Sequence, residues 1–170
     1  TWAYGHSLAK ALARSGPHHL VVLSGTDPRT GQYFVDYETV AGGMGARPYR
    51  DGVDAVRVPA SGASNLPVEA LEQAYPLRIE RYALWEDSGG RGRFRGGMGV
   101  IRDYRILSDD VTVSLSSERQ HVVAAGLDGG ASGRAGEFVY NPECPDERKL
   151  PSAAGEIAHA IRFILPNERM

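Results

Sequence analysis

The residues best suited to chemistry lie in one stretch, Glu86-Asp87-Ser88-Gly89-Gly90-Arg91-Gly92-Arg93-Phe94-Arg95-Gly96-Gly97-Met98-Gly99-Val100-Ile101-Arg102. Six glycines fall between Gly89 and Gly99, and four arginines, Arg91, Arg93, Arg95 and Arg102, are spread along the segment. Carboxylates such as Glu86 and Asp87 can exchange protons, and guanidinium groups can grip carboxylate or phosphate oxygens through paired N–H donors. Glycine weakens both helix and strand, so a cluster of it signals unusual dihedrals or close backbone approach to a ligand or to another segment.

Two phosphate cradles are excluded by spacing. Gly92 and Gly97 have the glycine separation of a P-loop, but Met98 and Gly99 follow where Lys and Ser/Thr are required. Gly97-Met98-Gly99-Val100-Ile101-Arg102 lacks the third glycine of a dinucleotide fingerprint and leads into a strand pattern. The arginine-glycine run resembles an RNA-binding RGG segment, yet it is a single copy between patterned strands in a chain of formal charge -2. Nucleic acid is therefore not the expected partner. Ser88 lacks the Gly-x-Ser-x-Gly elbow of a nucleophile and reads as a turn or cap serine. His6, His18, His19, His121 and His159 show no ligand spacing, and with one cysteine, Cys144, no metal site is expected from this chain alone.

Two further glycine knots flank this one, Gly42-Gly43-Met44-Gly45-Ala46-Arg47-Pro48 before it and Gly126 to Gly136 after it. If the knots converge, Glu38, Arg47, Glu86, Asp87, Arg95 and Arg102 form a mixed-charge rim. The residues alone leave a second reading open. The knots can be tight strand crossings where no Cβ fits, with Arg93, Arg95 and Arg102 paired to Glu86, Asp87, Asp103 or Glu118.

The elements that must position these groups are mostly strands. Trp2 to Arg14 fits a short amphipathic helix stopped by Ser15-Gly16-Pro17. The apolar run His19–Ser24, the turn residues Thr26-Asp27-Pro28-Arg29-Thr30-Gly31 and the alternating run Gln32–Val40 predict a hairpin. Val53–Val58 reads as a strand, and Pro67 opens a short helix through Gln73. Alternation predicts strands within Tyr75–Trp85, Val100–Leu107 and Val111–Ser116, and Glu137–Tyr140 follows the third knot. Asn141–Pro151 reads as a polar loop, and Ile157–Leu165 is apolar but ambiguous. The expected class is strand-dominated α+β, with mixed or antiparallel sheets, glycine-rich connections and a few short helices.

A chain of 170 residues has room for one domain with a true core, and residues 1–170 are read as one. Lys10 and Lys149 are the only lysines, so the positive charge is almost all arginine. No apolar run approaches membrane-spanning length, no leader pattern opens the chain, and a cytoplasmic location is expected. The first residue is Thr1, and its neighbours read as the middle of a longer polypeptide.

As an ordered set, several blocks resemble the hydantoinase B/oxoprolinase family. They are Tyr37-Glu38-Thr39 with Gly42-Gly43-Met44-Gly45-Ala46-Arg47 and Asp51-Gly52, then Ser64-Asn65-Leu66-Pro67-Val68-Glu69-Ala70-Leu71-Glu72 and Tyr75-Pro76-Leu77-Arg78. Glu86 to Gly99 with Arg102 follows, then Ser114-Leu115-Ser116-Ser117-Glu118-Arg119 and the Gly126-Leu127-x-Gly129-Gly130 turn. The resemblance covers about residues 31–136, with 141–170 a divergent tail, and marks a carboxy-terminal segment of a longer protein.

It implies part of an ATP-dependent hydrolase that opens cyclic amides such as hydantoins or 5-oxoproline. ATP would be handled by a hydantoinase A-like partner, and any divalent metal would take its ligands upstream of this segment, in the rest of the hydantoinase B-like protein. Related readings are a component of an ATP-dependent ketone carboxylase, of the acetone or acetophenone type, and a non-catalytic assembly segment. On this resemblance Glu86, Asp87, Arg95 and Arg102 are the expected catalytic residues. Gly43, Gly45, Arg47, Ser88, Gly89, Gly90, Gly96, Gly97 and Gly99 would bind substrate or backbone. Alone, the chain is expected to be inactive.

Overall fold

A computed structural model describes residues 19–56, 64–117, 120–151, 153–157 and 160–165. The helix expected over Trp2–Arg14 lies outside them. Among the described residues nine strands and one helix form in chain order: β1 His19–Thr26, β2 Tyr33–Val40, α1 Val68–Ala74, β3 Leu77–Trp85, β4 Gly99–Ile106, β5 Thr112–Ser116, β6 Glu137–Tyr140, β7 Arg148–Leu150, β8 Ala153–Ile157 and β9 Ala160–Leu165. Every strand pairing is antiparallel, in one sheet of order β2-β1-β5-β8 and a second of order β3-β4-β9-β6-β7. This is the strand-dominated α+β class the sequence predicts.

The expected hairpin is β1–β2, in register from His19 opposite Val40 to Thr26 opposite Tyr33. Asp27 shapes its turn, because its backbone carbonyl accepts from Gly31 N at 2.7 Å and its carboxylate accepts from Arg29 N at 2.8 Å. Gly31 there has φ +69°, in the left-handed region that glycine adopts without strain. Alternation puts Phe34, Asp36, Glu38 and Val40 of β2 inward, while Tyr33, Val35 and Tyr37 face out.

One buried cluster joins the two sheets. It takes Val21, Leu23, Phe34 and Val40 from β1 and β2, and Leu77, Val100, Tyr104 and Ile106 from β3 and β4. Burying each such side chain contributes roughly 1.5–3 kcal/mol relative to exposure, so the inner faces hold the layers together. Helix α1 has Pro67 at its N-cap and buries Leu71, and its Glu72 carboxylate accepts from Ile79 N at 3.0 Å. The helix is thereby tied to the start of β3.

Three local readings are corrected. No strand forms over Val53–Val56. Asp54 and Ala55 make a turn, and Val56 contributes one isolated bridge to Gly42, while 57–58 lie outside the described residues. The cause is the Asp54 carboxylate, which accepts from Met98 N and Arg95 and draws the segment onto the second knot. The expected loop over Asn141–Pro151 contains β7, which pairs with β6. Of the ambiguous apolar tail, Ile157 ends β8, which pairs with β5, and Ala160–Leu165 is β9, which lies between β4 and β6 in the other sheet, while 158–159 lie outside the described residues.

Candidate functional site

The three knots meet. Gly97 N donates to Met44 O at 2.8 Å, Gly52 N to Arg95 O at 2.8 Å and Ala55 N to Met98 O at 3.1 Å, which joins the first knot to the second. Ala131 N donates to Arg91 O at 2.7 Å and Arg134 N to Ser88 O at 3.0 Å, which joins the second to the third. These contacts are backbone on backbone, and they require missing side chains. A Cβ on Gly97 would collide with Val53 O and sit 2.9 Å from Met44 O, and one on Gly43 would collide with Gly97 O. Glycine is needed at the crossings because another peptide occupies the space.

Above the crossings is a cavity of about 500 Å³. Its walls are Gly45, Ala46, Arg47 and Pro48 from the first knot and Gly90–Phe94 with Gly96 from the second. Ala124–Ala131 and Gly133 come from the third. The size is that of a small-molecule site, though the walls are unusually rich in bare backbone.

The expected site residues divide by position. Gly45, Arg47, Gly90 and Gly96 line the cavity, whereas Gly43 and Gly97 form the crossing and Gly89 abuts the Gly96 backbone. Ser88 is buried, its Oγ donating to Trp85 O at 2.7 Å and accepting from Gly99 N at 2.8 Å. That serine staples the end of β3 to the start of β4. Glu86 and Asp87 are exposed, and Asp87 lies 3.5 Å from Arg91.

Arg95 and Arg102 are committed to the chain's own carboxylates. Arg95 pairs with Asp54 at 2.8 Å, and its backbone N donates to Asp51 at 2.8 Å. Hydrogen bonding from Arg95, aided by the Met98 N–H, holds the Asp54 carboxyl below its usual range. Arg102 is 1% exposed and sits between the sheets, 3.2 Å from Glu38 and over the rings of Tyr82 and Tyr104 at 5.2 and 4.8 Å. Its Nε and Nη1 have no hydrogen-bond partner among the described residues, and neither has Asp36 Oδ2. Tyr104 donates to Glu38 at 2.5 Å, and burial pushes its hydroxyl well above the usual tyrosine range. Burial, reinforced by Glu38 and opposed by Arg102, pushes the Asp36 carboxyl up to about 7.

The mixed-charge rim therefore does not form. The knots converge, but alternation along β2 and β4 turns Glu38 and Arg102 into the sheet interface, and Asp54 takes Arg95. Among the described residues, Arg93, Arg95 and Arg102 do not pair with Glu86, Asp87 or Asp103 either, and Glu118 lies outside them. Two features of the site escaped the candidate residues. One is the wall from Ala124 to Ala131, signalled only by the third glycine cluster. The other is that Asp36 and Tyr104 join the candidates Glu38 and Arg102 in one buried group, signalled by two acids at alternate positions between Phe34 and Val40. Among the described residues no group of three or more His, Cys, Asp or Glu side chains could hold a metal ion. Among them, too, no helix is long and apolar enough to cross a membrane.

Residues 4–162 match the family model described as Hydantoinase B/oxoprolinase. A protein of Pseudomonas sp. (strain NS671), which carries the name of the B-type component of a D-/L-hydantoinase, is 30% identical over 176 residues, spanning 96% of this chain and 30% of its own length. The 5-oxoprolinase of Dictyostelium discoideum is 39% identical over 100 residues, 59% of this chain and 8% of its own. Among solved structures, the ATP-dependent caprolactamase of Pseudomonas jessenii superposes with a TM-score of 0.63 at 24% identity, over 92% of this chain and 28% of that one. A nucleotide-free acetone carboxylase superposes with a TM-score of 0.61 at 14% identity, over 97% and 27%. Both likenesses show the fold. The chain thus spans less than a third of the length of each of these relatives.

Proposed function

The chain belongs to the hydantoinase B/oxoprolinase family, and from that premise we propose that it supplies one wall of the substrate site in a larger ATP-dependent enzyme that opens cyclic amides of the hydantoin or 5-oxoproline type. The observation that carries this reading is the union of three glycine knots, distant in sequence, around one cavity. Relatives named hydantoinase and 5-oxoprolinase supply the substrate class.

A cyclic amide resists hydrolysis because nitrogen donates into its carbonyl. Holding the carbonyl oxygen by fixed N–H dipoles and guanidinium groups lowers the cost of charge developing there, and a walled cavity keeps water ordered. The chain is suited to that positioning work. Arg95 acts as a positioning residue by locking the second knot to Asp54, and Arg102 by joining β2 to β4. Glu86 and Asp87, exposed where the second knot begins, are the candidate acid–base groups. No Walker lysine follows Gly97, so ATP is assigned to a hydantoinase A-like partner, and a divalent ion to ligands elsewhere in the hydantoinase B-like protein. Dependence on ATP suits a cytoplasmic assembly, and the chain alone is expected to turn over nothing.

The test is turnover by the full-length protein with its hydantoinase A-like partner on hydantoin and 5-oxoproline. The expected result is ring opening that stops without ATP and releases ADP in step with product. Ring opening that ignores ATP contradicts the proposal. ATP consumption that requires bicarbonate and a ketone replaces it with the carboxylase reading.

A further inference from the structure

Arg29, Arg95, Arg102, Arg105 and Arg162 each meet a carboxylate of the chain at between 2.7 and 3.2 Å. Of the described arginines that are not exposed, Arg102 and Arg162 are paired in this way and Arg47 is not. The cavity walls carry Arg47, Arg91 and Arg93 against a single acid, Asp128. Arg47 is half-buried and has no carboxylate partner among the described residues, its Nη2 resting 3.5 Å from the Met44 sulfur. Arg93 has none among them either, and stands over the Phe94 ring at 5.6 Å. Arg91 is exposed and only loosely balanced by Asp87 at 3.5 Å.

Leaving a guanidinium half-desolvated beside a cavity without a counter-charge costs free energy that a surface arginine avoids. A bound anion removes that cost. The remaining wall is mostly glycine and alanine, which leaves room for a small guest to approach closely.

We propose that the cavity is an oxyanion site, which takes a small ligand by its carboxylate or phosphoryl group, with Arg47 as the inner donor and Arg93 at the rim. The inference deepens the cyclic-amide reading and rests on it for the ligand's origin. Opening such a ring creates a carboxylate, and ATP-driven chemistry introduces a phosphoryl group. The two share the same oxygen chemistry.

The test is isothermal titration of the full-length protein with two probes, N-carbamoylglycine for the carboxylate and inorganic phosphate for the phosphoryl group. The expected result is saturable binding of at least one probe, one per chain, and the tighter probe identifies the source. Arg47→Gln should weaken it by about tenfold or more, as for loss of a charge-assisted pair, and Arg47→Lys by less. Arg93→Gln, at an exposed position, should weaken it by about threefold to tenfold and keeps the test open if the Arg47 variant folds poorly. Arg105→Gln, on the surface of β4 away from the cavity, should change nothing. Absence of saturable binding by either probe overturns the proposal, as does binding that Arg47→Gln and Arg93→Gln leave unchanged. Arginine-dependent binding in a protein that opens no cyclic amide ends the enzymatic reading and upholds the oxyanion site.

Discussion

Gly97→Ala is expected to leave little soluble, cooperatively folded protein. The new methyl group would collide with Val53 O and lie 2.9 Å from Met44 O. Neither acceptor can retreat cheaply, because Val53 O already takes Met44 N at 2.9 Å and Met44 O takes Gly97 N itself at 2.8 Å. Relief requires separating the first knot from the second, so the cost belongs in the rare class above about 4 kcal/mol. Gly43→Ala, on the other side of the same crossing, should behave alike. Gly155→Ala in β8 is the control, since a Cβ there meets nothing within 4 Å and should shift stability by less than about 0.5 kcal/mol. Soluble yield and thermal melting of the full-length protein read both outcomes. Native-like melting of Gly97→Ala would mean that the knots do not interlock as described.

The second large effect is expected at Arg102. Methionine there leaves Glu38, 8% exposed, and Asp36, 4% exposed, without the only cation near them among the described residues. Removing one member of such a buried pair costs about 3–5 kcal/mol, a large part of the stability of a typical domain. Adding Glu38→Gln to Arg102→Met should recover part of the loss, because the double variant no longer buries an unmatched charge. A purely catalytic arginine would do the opposite, leaving melting unchanged and abolishing turnover.

The same cluster sets a pH dependence. The folded-state carboxyl of Asp36 is raised to about 7 from 3.8, so between those values the folded chain keeps a proton that the unfolded chain releases. Stability from this group therefore falls as pH rises from about 4 to 7, by up to a few kcal/mol, and is flat above. Asp36→Asn should remove that slope. Charged neighbours Glu38 and Arg102 and the hydroxyl of Tyr104 face the same space, so the melts are best compared with all three intact.

Much of the framework was legible in the residues because its determinants are local. The β1–β2 hairpin follows from turn chemistry that Asp27 and Gly31 carry out as expected, and β3, β4 and β5 follow from alternation. Glycine clustering signalled close backbone approach, and the approach is real. What composition could not say is which knot meets which, because Gly43 against Gly97 and Gly90 against Ala131 are contacts between remote segments. Arg95 shows the same limit for charge. Its nearest acids in sequence, Asp87 and Asp103, are passed over for Asp54, which the first knot delivers. Val53–Val56 has a strand-like pattern, but hydrogen bonds to the second knot outweigh that propensity. At Arg102 residue type does not name the partner, and only the inward phase of β4 places the arginine against Glu38 across the sheets.

The central claim is that three separate knots build one ligand-holding cavity, and hydrogen exchange on the full-length protein tests it most directly. With saturating N-carbamoylglycine or inorganic phosphate, exchange should slow together over residues 45–47, 90–96 and 124–133, the segments that wall the cavity. Ligand-induced slowing elsewhere, with these three segments exchanging as they do in the free protein, would contradict it.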